Sequence, residues 1–395
     1  MATGDKRVFI GLNDGTEIWN VTSYVINTTV SLGKNQILDT FQPGTATFYL
    51  KNFNREFDPT NTGSAFYGAV LPRATWVYIE IEGMNTLFDG WVDDWSFEYD
   101  VNGESTAVLV ASERTGLFAR QYILASSFPA ELTGARVTRV LQDGGVAYTN
   151  PYNVNPYIVD DGTKMLDADT TCRGRNALEY LNSIVDSEQG NFYTDQAGSL
   201  IFKDANNSVT SAATAVTQFF TDDGTSGAYP YTDIDLSYST DLLYNKVSVT
   251  SNDETRTVTA TDSVSAGLYQ ISQLDVSAIL YNDSTTMSYL ANYIVSKYNE
   301  PQYRVNNLTV SFTNLDNTRK NNLLDLLGLN SYCKVKFTPN GTGSAINRFC
   351  KVIGIEHAID IDDHNVTFTF ESIMNPSIVL DDVEFGKLDS YSLGF

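Results

Sequence analysis

Hydrophobic and polar residues alternate in short runs over the first 117 residues, which is the pattern of half-buried β-strands. Residues 45–50 read TATFYL and residues 76–81 read WVYIEI. Two longer runs, residues 88–99 and 106–111, are separated by the turn-forming pair Asn102-Gly103. The spacing predicts an all-β domain over residues 1–117 that contains a long hairpin.

The hydrophobic period changes from two residues to about 3.6 in the middle of the chain, which favours helices there. Thr133 is a candidate N-cap of a short helix that stops at Gly144-Gly145. A second helix is predicted from apolar residues at helical spacing, namely Ala177, Leu178, Leu181, Ile184 and Val185. A strand hairpin follows at residues 192–202. We therefore predict a small α/β domain over residues 118–230.

Strand patterns return over residues 231–375 and surround one predicted helix. Asn282-Asp283-Ser284 supplies cap residues for this helix, and Pro301 ends it. Residues 348–361 and 365–372 predict another long hairpin, which resembles the hairpin of residues 88–111. The similarity suggests that a β-domain occurs twice. Residues 376–395 show little periodicity and are predicted to be a C-terminal tail.

The net charge of the chain argues against some classes of function, nucleic-acid binding above all. The chain has 395 residues, with 48 acidic and 25 basic side chains and a formal net charge of -23. No basic cluster offsets this charge, so nucleic-acid binding by phosphate neutralisation is not expected. The N-terminus is polar and no eighteen apolar residues run together, so we expect synthesis in a cytoplasm and no membrane span.

Residues that carry catalysis or bind cofactors and metals are scarce. Only two histidines occur, and no nucleotide-binding, esterase or zincin motif is present, so we predict no enzyme activity and no cofactor. His364 with Asp360, Asp362 and Asp363 is a weak alternative as a cation site, because such residues also favour turns. The three cysteines, Cys172, Cys333 and Cys350, have no metal-ligand spacing and are expected to be buried free thiols.

Paired carboxylates leave a glycosidase as a further alternative. Asp93, Asp94 and Glu98 lie close to Trp91, Trp95 and Tyr99 in the sequence, and aromatic rings can stack on a sugar. The alternation along this segment is instead typical of one strand, with one packed face and one wetted face. We therefore expect packing rather than catalysis there.

Residues 46–61, ATFYLKNFNREFDPTN, resemble the strand and "N-x-x-R-x-F-D-P" signature of siphophage minor tail proteins, especially those of actinobacterial phages. The order of features downstream is also similar. It includes LFDGWVDDW at residues 87–95, LYNKVSVT at residues 243–250 and VIGIEH at residues 352–357. The resemblance covers about residues 7–375 and is most specific in the first 120.

This resemblance implies a tail-hub architecture of mainly β (α+β) class, with two tail-tube-like β-barrel or sandwich domains and a small α/β insert domain. In that family three chains form a homotrimer, whose six similar domains close a ring beneath a non-contractile tail tube. The implied partners are the distal tail protein, the tape-measure protein and other tail-tip or spike proteins. DNA would pass through the lumen without sequence-specific binding, and the chain would lie at the virion tail tip after assembly in the bacterial host cytoplasm.

The loop of residues 52–72 is the predicted partner interface, because it is more aromatic than a solvated loop requires. The candidate contact residues are Phe53, Arg55, Phe57, Asp58, Phe66 and Tyr67. The alternative is that these aromatic residues cover their own domain. For the whole chain, the alternatives are a distal tail ring protein and a carbohydrate-binding tail adhesin.

Overall fold

A computed structural model describes residues 6–12, 17–36, 39–73, 75–81, 86–101, 103–146, 148, 156–195, 198–205 and 218–373. Asn102 of the predicted turn and the predicted tail at residues 376–395 lie outside these ranges. Short 3-10 helices occur at Thr22–Tyr24, Arg114–Arg120, Phe312–Asn314 and Pro339–Gly341.

Seven strands form the first part of the chain. They are β1 (Lys6–Leu12), β2 (Ile18–Asn20), β3 (Val25–Gly33), β4 (Thr45–Lys51), β5 (Thr75–Ile81), β6 (Thr86–Glu98) and β7 (Thr106–Glu113). The alternating sequence pattern produces alternating burial: on β4, Ala46, Phe48 and Leu50 are buried while Thr45 and Tyr49 are exposed. The predicted hairpin of residues 88–111 is confirmed as β6 and β7.

The described residues of the middle segment form two helices and short strands. They are β8 (Glu131–Leu132), α1 (Thr133–Leu141), β9 (Tyr157–Val159), β10 (Met165–Leu166), α2 (Ala177–Glu188), β11 (Asn191–Thr194), β12 (Leu200–Lys203) and β13 (Gln218–Thr221). The predicted α2 is confirmed, and the Asn176 side chain caps it. The prediction that Thr133 caps α1 was wrong, because Thr133 is inside the helix and donates its hydroxyl to the buried Glu188 carboxylate at 2.7 Å.

The described residues that follow, up to residue 373, form eight strands and three helices. They are β14 (Asp233–Ser239), β15 (Lys246–Ser251), β16 (Thr257–Thr261), α3 (Ser263–Tyr269), β17 (Gln273–Ile279), α4 (Ser284–Tyr298), β18 (Gln302–Ser311), α5 (Asn317–Leu326), β19 (Tyr332–Phe337), β20 (Ile346–Ile359) and β21 (His364–Ile373). The predicted helix is confirmed as α4, which Asp283 caps. α3 and α5 were not predicted.

One thirteen-stranded sheet organises the fold, and its strand order is β14-β18-β21-β20-β3-β4-β7-β6-β5-β1-β2, with β19 beside β20 and β13 beside β19. The predicted mainly-β class is confirmed. A large core covers one face of this sheet. A second core joins the middle segment to β15 and α4, through residues such as Leu181, Val247 and Leu290.

Two stretches of the long sheet have the same arrangement. β4, β7, β6 and β5 follow one another in the first stretch, and β18, β21, β20 and β19 do so in the second. Both long hairpins also have a register shift at the equivalent place, between Val92 and Asp94 in β6 and between Val352 and Gly354 in β20. The similarity between the hairpins therefore extends to the whole strand order around them.

The cysteines are buried and unoxidised, as expected, although Cys333 and Cys350 lie directly opposite each other on β19 and β20. Burial raises the pKa of both thiols. Within the described ranges, no helix combines the length and the apolar character that a membrane span requires.

Candidate functional surface: the polar face of the long sheet

The face of the long sheet that points away from the large core is lined mainly by small polar side chains, with Tyr49, Val108 and Val110 as apolar residues near its middle. A single row crosses the strands through Asp233, Thr309, Thr367, Glu356, Ser31, Thr45 and Ser112, each opposite the next. The hydroxyls of Thr309 and Thr367 lie 2.9 Å apart. Threonine suits a half-exposed strand because its branched side chain favours the extended backbone and its hydroxyl satisfies the wetted face.

Carboxylates dominate the charge of this polar face. Its exposed charged residues are Asp94, Glu98, Asp233, Asp235 and Glu356. Among the described residues of the face, Lys51 is a partly exposed base at the end of β4. Phosphate groups would meet repulsion and few cationic partners here, so the charge of this face does not favour nucleic-acid binding.

One end of the polar face is covered by the middle segment and α4. Lys297 of α4 donates to Glu371 of β21, and Lys351 of β20 donates to Asn191 at 3.1 Å. Burial opposes the ionisation of Glu371, but Lys297 and Lys351 outweigh it and lower the pKa of Glu371 to about 2. Burial lowers the pKa of Lys351 to about 8. A buried, charge-paired contact therefore fixes these elements on the sheet.

The predicted interface loop divides into a buried and an exposed set. Phe57 and Phe66 lie in the large core, stacked with their ring centroids 4.8 Å apart, and Tyr24 meets both edge-on. Phe53 and Tyr67 are about half exposed. Phe57 and Phe66 thus cover their own domain, as the alternative interpretation holds, while Phe53 and Tyr67 remain available for contact with another protein.

Arg55 and Asp58 of the signature build the loop itself. Asp58 accepts hydrogen bonds from the amide and hydroxyl of Thr60, from Arg55 Nε at 2.8 Å and from the Tyr99 hydroxyl at 3.0 Å. These donors hold the pKa of Asp58 well below its usual value, and Thr60 has the largest effect. The backbone of Arg55 has a φ of 59°, which places it in the left-handed region and marks a sharp turn.

The residues of the glycosidase alternative do not converge. Asp93 pairs with Arg73 at 3.3 Å, and Asp94 lies on the polar face. Trp95 points to the opposite face, where it stacks on Phe57 with their ring centroids 5.8 Å apart. Asp94 and Trp95 therefore lie on opposite faces, as alternation predicts, but the register shift between Val92 and Asp94 places Val92 on the core face with Trp95, where strict alternation predicted the opposite face.

The two histidines come together, although the sequence places them apart from any metal motif. His357 Nδ1 and His364 Nε2 lie 3.1 Å apart, and both rings are buried. Burial lowers the pKa of His357 to about 4, and it also lowers the pKa of His364. Across the described ranges, no group of three or more His, Cys, Asp or Glu side chains is arranged to hold a metal ion.

Sequence reasoning missed the residues at the free edges of the sheet. Ile234, Leu236 and Tyr238 of β14 alternate with polar residues, and Tyr238 is 69% exposed. Phe97 and Tyr99 follow Trp95 on the inner face of β6, and Tyr99 is 53% exposed. Their alternation was readable from the sequence, but which strands have a free edge depends on the topology.

No protein-family model matches the chain, and no curated protein matches its sequence. Several solved structures share the fold. A tail protein from Neisseria meningitidis MC58 is 10% identical, with a TM-score of 0.63 over 99% of this chain and 100% of that one. The 43 kDa tail protein of prophage MuSo2 from Shewanella oneidensis is 12% identical, with a TM-score of 0.58 over 92% and 98%. Prophage tail protein gp18 from Listeria monocytogenes EGD-e is 11% identical, with a TM-score of 0.51 over 92% and 94%. The chain has the fold of tail proteins.

Proposed function

We propose that this chain is a structural hub protein at the tip of a bacteriophage tail. The observation that carries the proposal is the long sheet, which contains two equivalent strand arrangements and a largely polar face with five exposed carboxylates. Tail proteins of the same fold support it. The role is mechanical, and no catalytic step is part of it.

In this proposal residues 1–117 and 231–375 supply two tube-like units, residues 118–230 form the insert, and residues 376–395 form a tail. Three chains then present six similar units, which match a six-fold tail tube of a non-contractile tail. A distal tail ring protein would need only one such unit, so the repeated arrangement favours the hub.

The polar face would line the lumen of the ring. Its hydroxyl groups keep the wall hydrated, and its carboxylates repel the phosphate backbone, so DNA slides past without being held. Phe53 and Tyr67, which are exposed on the interface loop, are the proposed contacts to a distal tail protein. The tape-measure protein and spike proteins would occupy the two ends of the ring.

The position in the virion is tested by electron microscopy of phage particles that are labelled with an antibody against the chain. We expect label at the tail tip and nowhere else. Label on the capsid, or along the whole length of the tail tube, would contradict the proposal.

The lumen role is tested by adding positive charge to the polar face. The variant Thr47→Lys/Thr367→Lys should retain linear duplex DNA in a gel-shift assay at low salt, because each phosphate contact gains an ion pair. The wild-type chain should not retain DNA. Thr257→Lys/Thr259→Lys, which adds the same two charges at exposed threonines on β16 outside the long sheet, is the matched control and should behave as the wild type. Equal DNA retention by Thr257→Lys/Thr259→Lys would contradict the assignment of this face.

A further inference from the structure

Several strand edges of the long sheet have no partner strand in the described part of the chain, and two of them belong to the repeated strand arrangement. β14 pairs on one side with β18, and residues 94–98 of β6 pair on one side with β7. An unpaired edge exposes backbone donors and acceptors to another chain. We call these the β14 edge and the β6 edge, and we include Tyr99 in the latter.

The strands equivalent to these two edges are paired with each other inside the chain. β3 corresponds to β14, and β20 corresponds to β6, in the repeated strand order. β3 and β20 form an antiparallel pair in which Leu32 lies opposite Ile355 and Val30 opposite His357. We call residues 28–33 with residues 354–359 the covered seam.

The correspondence can be followed residue by residue. The register shift that precedes Asp94 in β6 precedes Gly354 in β20, so Trp95 corresponds to Ile355. Thr28 lies opposite Phe48 of β4, and Ile234 lies opposite Leu308 of the equivalent strand β18. Ile234 therefore corresponds to Thr28.

We propose that the β14 edge of one copy pairs antiparallel with the β6 edge of the next copy, in the register of the covered seam. The proposal rests on the ring of the proposed function and names how its copies join. On the core face, Trp95, Phe97 and Tyr99 lie opposite Tyr238, Leu236 and Ile234 of the second copy. On the polar face, Ser96 and Glu98 lie opposite Ser237 and Asp235 of the second copy.

The apolar side chains of the two edges fit this register. Trp95, Phe97 and Tyr99 stack along β6, with both neighbouring pairs of ring centroids 6.4 Å apart. Opposite each ring, the register places an apolar or aromatic side chain of β14, which is the pairing that stabilises antiparallel strands. Trp95 at the β6 edge is 8% exposed, close to the 6% of the corresponding Ile355, but Tyr99 is 53% exposed where the corresponding Ile359 is 7% exposed. Pairing with a second copy would remove this difference.

The polar side chains of the two edges fit the proposed register less well. We call the pairing of the β14 edge of one copy with the β6 edge of the next copy the joint. Ser96 and Ser237 are small and neutral, but Glu98 and Asp235 bring two carboxylates together at each joint. Like charges directly opposite each other on neighbouring strands are destabilising. Association of the copies should therefore strengthen as salt rises to about 0.15 M, where the Debye length falls to about 8 Å.

The geometry of the joint explains why it closes. The two edges are different surfaces, so the contact is head-to-tail, and a head-to-tail contact leaves no β14 edge and no β6 edge free only when the copies form a ring. Each copy then contributes one covered seam and one joint, which alternate around the ring.

Cysteine cross-linking tests the register. Ser96→Cys chains mixed with Ser237→Cys chains under mild oxidation should form a disulfide-linked dimer, because directly opposite Cβ atoms are about 5 Å apart. Ser31→Cys/Glu356→Cys is the positive control, since these residues are opposite each other within the covered seam and should link inside one chain. In the mismatched control, Asp233→Cys replaces Ser237→Cys. Asp233 lies four residues from Ser237 on the same face of β14, so this variant should form at least tenfold less of the disulfide-linked dimer with Ser96→Cys.

Absence of the Ser96–Ser237 cross-link at every protein concentration, or equal linking with Asp233→Cys, overturns the proposal. The hub role can fail separately. If the cross-link forms while antibody labels another part of the virion, the joint stands and the proposed function fails. If antibody labels the tail tip and the cross-link does not form, the hub stands and the joint fails.

Discussion

The covered seam and the open edges are the same strand arrangement with different neighbours. At the covered seam, β3 buries Val30 against His357, and both side chains are at least nine-tenths buried. At the open edges, the corresponding Leu236 and Phe97 are partly exposed. The comparison teaches that the covered seam is completed during folding. The open edges carry apolar side chains that folding of a single chain does not cover.

Breaking the covered seam should have the largest effect. Val30→Asp places a carboxylate in the fully buried centre of the seam, and we expect a loss of roughly 4 kcal/mol or more in the free energy of unfolding. Urea unfolding monitored by tryptophan fluorescence measures it. Tyr238→Asp at the open edge should change the stability of the single chain by less than about 0.5 kcal/mol, because Tyr238 is exposed.

The contrast between these two variants is the control. Similar destabilisation by Val30→Asp and Tyr238→Asp at a dilution where the chain is monomeric would contradict the distinction between a seam that belongs to the fold and an edge that does not.

Acid should weaken the covered seam. His357 is buried and its pKa is lowered to about 4 from 6.5, so protons bind more readily to the unfolded chain between these values. This contribution to stability is fully present above about pH 6.5 and is lost as the pH falls to about 4, and it amounts to about 3 kcal/mol. Urea midpoints at pH 7 and pH 5 measure the trend.

A second buried group acts in the opposite sense in the same pH window. Burial raises the pKa of Glu113 to about 7, so its contribution to stability is lost as the pH rises through that value. Comparison of the wild type with His357→Gln/His364→Gln cancels this effect, because both proteins contain Glu113. Equal acid dependence in the two proteins would show that the histidine pair is not responsible.

Removing the like charges at the open edges should strengthen the association of the copies, and this effect should be smaller than the preceding ones. Glu98→Gln/Asp235→Asn is expected to strengthen association of the copies about two- to fivefold at low salt, which corresponds to about 0.5–1 kcal/mol at each joint. The gain should vanish at high salt, where the wild-type repulsion is screened. Sedimentation velocity across a salt series measures it.

Glu254→Gln/Asp275→Asn provides the matched control, because these two exposed carboxylates lie after β15 and on β17, away from the long sheet. It removes the same two charges without touching the joint. The same gain in Glu254→Gln/Asp275→Asn would mean that overall charge, rather than the pair opposite each other, limits association.

Local signals predicted much of the fold. The hairpins followed from alternation, α2 followed from helical spacing, and α4 followed from helical spacing with the cap Asp283. α3 and α5 were not predicted because they have weak apolar stripes. Asp262 and Asp316 cap these helices and were signals that the sequence contained. Capping alone did not distinguish a helix start from a turn, since aspartate favours both.

The covered seam and the open edges could not be predicted. The seam pairs β3 with β20, which lie at opposite ends of the sequence, and its register depends on the path of the whole chain. The interface loop shows the same limit. Phe53 and Phe57 are equivalent as sequence, but Phe57 is completely buried and Phe53 is 52% exposed, because the loop turns sharply at Arg55.

The mass of the purified chain in solution tests the central claim most directly. Light scattering over a range of protein concentrations at about 0.15 M salt, where the Debye length is about 8 Å, should give the mass of three chains. Tyr238→Asp should give the mass of one chain. Tyr289→Asp, which changes a similarly exposed tyrosine on α4, should behave as the wild type. A wild-type chain that stays at the mass of one copy at every concentration, or that assembles equally well with Tyr238→Asp, would contradict the account.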